Sequence, residues 1–162
     1  MKIQFRRRKE TPSELLTRAV EEADHGRQLA IYDREMGLMA KWYLILRCEE
    51  ECYRSVRYKR PLTLVLVEAV GEDYLNTAAE VVHWFSTKGR RSDLRAHLGD
   101  GLFAVLLAET DVDGAAKLAR RLERAIPQIR TGISSHPYEG GNFDQLFAAA
   151  HSRLDGTMEQ AA

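Results

Sequence analysis

Residues 62–67, with the sequence Leu-Thr-Leu-Val-Leu-Val, form an almost continuous run of aliphatic and β-branched side chains. A strand with one face in water alternates apolar and polar residues, and this run does not alternate. It therefore predicts a central, buried strand of a sheet. The chain of 162 residues, 44% of them hydrophobic and 30% charged, is long enough to build one globular core around such a strand.

The sequence after this strand alternates between helical and extended patterns. Leu98-Gly99-Asp100-Gly101 has the residues of a tight turn between two apolar runs, which predicts a β-hairpin. The predicted elements are a helix over 76–86, strands over 93–97 and 102–107, a helix over 113–126, a strand over 128–134 and a helix over 142–154. This order predicts an α+β fold with a split βαβ, ferredoxin-like mixed sheet and flanking helices, packed mainly on one face.

The first part of the chain predicts two helices that precede the sheet. Residues 1–10 form a basic arm, and Thr11-Pro12-Ser13-Glu14 has the pattern of a capping box with proline at the first helical position. An apolar stripe follows and predicts an amphipathic helix that needs a partner; it consists of Leu15, Leu16, Ala19, Val20 and Ala23. We expect this helix to end at Gly26 or near 33–37, and a second helix to cover 38–58.

These patterns divide the chain into a basic arm with an amphipathic helix over 1–32, a folded domain over 33–157 and a tail over 158–162. The 24 basic and 24 acidic residues balance, so no global charge favours a nucleic-acid polymer or an anionic membrane. No apolar run is long enough to span a membrane, and no secretory signal follows the basic arm, so we expect a cytoplasmic protein. Cys48 and Cys52 are predicted to be reduced structural thiols, because no further ligand completes a zinc site.

The segment from Gly89 to Thr110 resembles the GGDEF domain of diguanylate cyclases. In that family an Arg-x-x-Asp motif precedes a hairpin with the signature Gly-Gly-Asp/Glu-Glu-Phe. Here the signature positions hold Gly99, Asp100, Gly101, Leu102 and Phe103, so only the first glycine and the phenylalanine are retained. The resemblance extends from residues 33–38, which match part of the motif at the start of the family's domain, to the Gly132-Ile133 strand. It implies the nucleotide-cyclase-like form of the split βαβ fold.

Positions that bind metal and phosphate in the family cyclases are altered in this sequence. The two metal-binding positions hold Glu68 and Gly101, and glycine has no carboxylate to offer. The position of a phosphate-binding lysine holds Asp73, and only 24 residues separate Glu68 from Asp93, which shortens the guanine-binding segment. Phosphoryl transfer depends on positioning and on charge neutralisation by such groups. The sequence therefore predicts a domain that is not an enzyme and uses no metal or cofactor.

The inhibitory site of the family, where cyclic-di-GMP binds away from the catalytic half-site, matches this sequence better. Arg90 and Asp93 fit the Arg-x-x-Asp motif six residues before Gly99, and a further family arginine falls on Arg121. Arginine can pair with phosphate oxygens and with guanine N7 and O6, and a carboxylate can accept from guanine N1–H and N2–H. The resemblance therefore implies a ligand site of Arg90, Asp93 and Arg121, to which Arg91 or Arg95 adds phosphate contacts or stacking.

A plainer interpretation of the same residues stays open. Arg-x-x-Asp alone is a weak pattern, and Arg121 also fits the exposed face of an amphipathic helix. We interpret His97 as a half-buried strand residue rather than a ligand. The leading hypothesis is a non-catalytic cyclic-di-GMP receptor that signals through changed association with itself or a partner. The alternatives are a nucleotide-free homodimerisation or protein-interaction module acting through the N-terminal helix, and GTP binding without turnover.

Overall fold

The computed structural model describes residues 11–156 and contains five helices and five strands within that range. In chain order the elements are α1 (Pro12–Ile31), β1 (Met39–Ala40), α2 (Lys41–Tyr58), β2 (Leu62–Ala69), α3 (Tyr74–Lys88), β3 (Leu94–Gly99), β4 (Leu102–Ala108), α4 (Val112–Ala125), β5 (Ile129–His136) and α5 (Phe143–Gly156). The basic arm and the residues after Gly156 lie outside the described range.

The N-terminal helix begins as its capping box predicts. The Thr11 backbone N–H donates to the Glu14 carboxylate at 2.8 Å, and the Glu14 N–H donates to the Thr11 hydroxyl at 3.3 Å. The helix continues past Gly26 and ends at Ile31, ahead of the turn over 33–37. That turn is closed by the Gly37 N–H, which donates to the Asp33 carbonyl at 3.0 Å.

The prediction of helix from residue 38 is wrong for the first three residues. Met39 and Ala40 instead form the short strand β1, which pairs in parallel with Ala96 and His97 of β3. The helix α2 starts only at Lys41, where Ala40 still has extended backbone angles. Strand β1 satisfies backbone groups of an otherwise open sheet edge, a long-range effect that local apolar spacing does not reveal.

The sheet has the strand order β1-β3-β4-β2-β5, so β2 lies between two partners, as its apolar run predicts. Strand β2 is antiparallel to both neighbours: Leu62 lies opposite Ala108 in β4 and His136 in β5. With the parallel β1–β3 pair, the sheet is mixed. The units β2-α3-β3 and β4-α4-β5 give the split βαβ arrangement, and the predicted fold class is confirmed.

Helices cover both faces of the sheet, so the prediction that they pack mainly on one face is wrong. The helices α3 and α4 connect parallel strands and lie on one face, where they bury Val65, Phe85 and Phe103. The helices α2 and α5 cover the other face, where Leu64 and Leu146 are buried. The run over 62–67 requires this, because consecutive side chains of a strand point to opposite faces and both sets are apolar.

Cys48 and Cys52 are free thiols inside the core between α2 and the sheet. The hydrogen bond with the Cys52 thiol and burial together raise the pKa of Cys48, which keeps this group an uncharged thiol at neutral pH. Within residues 11–156, no helix has the length and apolar character that a bilayer crossing requires.

Candidate functional site

Arg90, Asp93 and Arg121 line one cavity of about 360 Å³, although they lie up to 31 positions apart in the sequence. Arg90 and Asp93 lie in the loop between α3 and β3, and Arg121 projects from α4. The cavity forms between these segments because β3 and β4 are paired and α3 and α4 pack on the same face of the sheet. The remaining lining residues are Lys88, Leu107, Thr110, Gly114, Lys117 and Leu118.

The Arg-x-x-Asp motif forms a closed turn. The Asp93 backbone N–H donates to the Arg90 carbonyl at 3.2 Å, and the Arg90 N–H donates to the Asp93 carboxylate at 3.1 Å. Asp93 is only 7% exposed. Burial raises the pKa of this carboxyl group, against the opposing effects of the Arg90 N–H and of the charges on Arg90 and Arg95. The turn therefore holds an acceptor at a fixed place in the cavity wall.

Two further arginines, Arg91 of this loop and Arg95 of β3, do not line the cavity. The Arg95 side chain holds the loop in place, since its guanidinium donates to the carbonyl oxygens of Phe85 and Arg90. Arg91 does not line the cavity of Arg90 and Arg121. It lines a neighbouring cavity of about 370 Å³ beside the turn that precedes β1. The structure thus brings Arg90, Asp93 and Arg121 to one cavity, and it places Arg91 in a neighbouring cavity whose lining also includes Asp93.

The cavity carries more positive charge than the sequence motif indicates. Lys88 and Lys117 join Arg90 and Arg121, so four cationic side chains and one carboxylate, that of Asp93, line the cavity. Sequence reasoning missed both lysines. Lys117 lies four residues before Arg121 on α4, and that spacing places both on one helix face, so the signal for it was present. A cavity with this charge is suited to an anion, and Asp93 adds one acceptor for N–H donors.

The residues at the two positions that bind metal in the family cyclases, Glu68 and Gly101, make contacts within the fold. The Glu68 carboxylate accepts from the Arg130 guanidinium of β5 at 2.5 Å. Gly101 has a positive φ of 73°, and a Cβ there would stand 2.9 Å from the Tyr74 ring. With one carboxylate held by an arginine and none at the second position, these residues do not fit the divalent cation of the family cyclases.

His97 lies in a strand, as predicted, but it is buried rather than half-buried. Its Nδ1 lies 2.9 Å from the Asp33 carboxylate, and its ring packs against Phe103 at a centroid distance of 5.2 Å. Desolvation would raise the pKa of Asp33, but hydrogen bonds from Met36 and Glu35 N–H and from His97 bring it below its ordinary value. This contact ties the turn after α1 to the hairpin strand. Glu35 lies close to the pair, but it is exposed at the surface.

Comparisons with known proteins give matches at the level of structure. No family model matches the sequence, and no curated protein matches it either. Among solved structures, a sensory box/GGDEF family protein from Caulobacter crescentus superposes with a TM-score of 0.71 at 20% identity, over 81% of this chain and 99% of that one.

Two further structures match a larger share of this chain. The coiled coil and GGDEF domain of DgcB from Caulobacter crescentus, in complex with c-di-GMP, has a TM-score of 0.77 at 12% identity over 91% of each chain. The diguanylate cyclase SiaD from Pseudomonas aeruginosa, in complex with its activator SiaC, has a TM-score of 0.71 at 19% identity, over 91% of this chain and 66% of that one. The chain thus has the fold of GGDEF domains.

Proposed function

We propose that this protein is a non-catalytic receptor for cyclic-di-GMP, which binds in the cavity of Arg90, Asp93 and Arg121. The observation that carries the proposal is that the three residues implied by the GGDEF resemblance converge on one cationic cavity. Similar folds in complex with c-di-GMP support the choice of ligand, since DgcB is one of them. Binding would change how the domain associates with itself or with a partner.

The charge and polarity of the cavity match a guanine dinucleotide. The four cationic side chains can neutralise two phosphates, and arginine can also pair with guanine N7 and O6. Buried Asp93 offers an acceptor for guanine N1–H and N2–H that is already oriented by the Arg90 backbone. The absence of turnover rests on different residues, because Glu68 is engaged by Arg130 and Gly101 supplies no metal ligand.

Calorimetric titration of cyclic-di-GMP into the wild-type protein and two arginine variants tests the proposal. We expect Arg90→Ala to weaken binding by about 2 kcal/mol or more, because it removes a charge-assisted contact. Arg120→Ala is the matched control, since it removes the same charge from α4 at a residue that does not line the cavity. Equal losses in both variants, or no heat with wild type at a few hundred micromolar ligand, would reject the receptor.

A second candidate function, self-association through α1, is favoured by the exposure of its apolar side chains. Leu16 is 67% exposed and Val20 is 53% exposed, and they lie four residues apart on one face. The side chains of Leu15 and Ala23, which complete the predicted stripe, lie outside the described residues. A second helix that covers such a row of exposed apolar side chains removes their surface from water, and this stabilises the associated state.

Charge placed on this stripe tests the second candidate. We expect Leu16→Glu combined with Val20→Glu to convert an associated wild-type protein into a monomer, because burying two carboxylates between helices is costly. Light scattering gives the mass, and Arg18→Glu, on a different face of the helix, is the control. A wild-type protein that is already monomeric, or an associated one that the double variant leaves intact, excludes α1 as the interface.

A further inference from the structure

The groove between α3 and α4 continues beyond the cavity of Arg90 and Arg121. It is an open surface groove of about 510 Å³, lined in part by Glu80, His83, Trp84, Thr87 and Ile126. Lys88 lines both the groove and the cavity. The Arg121 guanidinium lies 5.7 Å from the centre of the Trp84 ring, so this pair marks the boundary between the two spaces.

Resting on the proposed function, we infer that this groove is a second base subsite, which takes one guanine of the dinucleotide while the phosphates lie among Lys88, Arg90 and Arg121. The different linings of the two spaces carry the assignment. Four cations line the cavity, whereas the groove has the Glu80 carboxylate, the shared Lys88 at its boundary with the cavity, and an apolar floor at Trp84 and Ile126. A carboxylate repels phosphate and accepts N–H donors, so the groove favours a base over a phosphate.

The chemistry of Glu80 also selects which base. Guanine presents N1–H and N2–H side by side, and a carboxylate with two acceptor oxygens can pair with both. Adenine presents an acceptor at N1 beside its amino group, and that acceptor would face the carboxylate unfavourably. With Asp93 in the cavity and Glu80 in the groove, each of the two guanines would have one carboxylate. The site would then prefer cyclic-di-GMP to cyclic-di-AMP.

Titrations of the full chain with cyclic-di-GMP and cyclic-di-AMP test this assignment. We expect Glu80→Gln to weaken cyclic-di-GMP binding by about tenfold or more, through the loss of a charge-assisted pair, and to leave cyclic-di-AMP binding unreduced. Asp113→Asn is the control, because it removes an acidic charge near the start of α4 at a residue that does not line either space. If both variants bind both dinucleotides more strongly, the effect is simple relief of electrostatic repulsion, and the subsite is rejected.

Tryptophan emission gives an independent readout. The chain has two tryptophans, and Trp42→Phe leaves Trp84 as the single emitter. We expect cyclic-di-GMP to change the Trp84 emission with the same midpoint as the calorimetric titration. The subsite is rejected, and the receptor retained, if Arg90→Ala weakens binding while Glu80→Gln and the Trp84 emission show no effect. A wild-type protein that binds neither dinucleotide rejects both proposals, and one that binds both equally rejects the guanine preference.

Discussion

Replacement of Phe103 by alanine is expected to lower the free energy of unfolding by about 3–5 kcal/mol, the usual cost of truncating a buried aromatic side chain. Phe103 is fully buried in β4. Its ring contacts Phe85 of α3 edge-on at a centroid distance of 6.1 Å and lies beside His97 of β3. The side chain therefore connects the hairpin to a crossover helix, and its loss would leave a cavity between them.

Chemical denaturation of wild type and variant measures this effect, with Tyr138→Ala as the control. Tyr138 is also aromatic but 91% exposed, so its truncation should change the unfolding free energy by less than about 0.5 kcal/mol. Equal effects of the two substitutions would contradict the assigned core. The result also bears on the sequence motif, since it would explain the retention of Phe103 by packing, independently of any catalytic activity.

Asp93→Asn is expected to separate ligand binding from stability. The substitution removes the charge that pairs with guanine N–H donors, and we expect it to weaken cyclic-di-GMP binding by about 30-fold or more, corresponding to roughly 2 kcal/mol. The amide oxygen can still accept from the Arg90 N–H, so the turn should remain closed. At neutral pH we expect a free energy of unfolding that is equal to or higher than that of wild type.

The expected stability follows from the raised pKa of Asp93. Burial makes the folded state hold the proton more tightly than the unfolded chain, whose carboxyl group has the ordinary value of 3.8. The free energy of unfolding therefore falls as the pH rises from 3.8 through the pKa of Asp93 in the folded state, and it stays lower at neutral pH. Asparagine does not titrate, so its advantage should be present at pH 7 and disappear below 3.8.

Denaturant midpoints at pH 7 and pH 3.5, together with calorimetric titration at pH 7, measure both quantities. Asp113→Asn is again a suitable control, because Asp113 is exposed and does not line the cavity. Unimpaired binding by Asp93→Asn would show that the carboxylate does not recognise the base. A large loss of stability at pH 7 would instead make Asp93 a structural residue of the turn.

Local patterns in the sequence determined most of the elements. The capping box at Thr11, the buried run over 62–67 and the turn before Leu102 each depend on neighbouring residues, and each appears in the structure. The split βαβ order followed from the succession of these elements. The resemblance to GGDEF domains, through the spacing of the Arg-x-x-Asp motif from the hairpin and of Arg121 from Phe103, predicted Arg90, Asp93 and Arg121 as candidate site residues from the sequence.

Contacts between distant segments were decided only by the tertiary structure. Strand β1 forms because the edge of β3 offers unpaired backbone groups, and two of the helices cover the second sheet face because alternate residues of β2 are apolar there. The same folding brings Lys88 and Lys117 into the cavity, turns Arg91 away from it and pairs Glu68 with Arg130. Periodicity specifies which face of an element is apolar, but the packing of whole elements specifies which side chains meet.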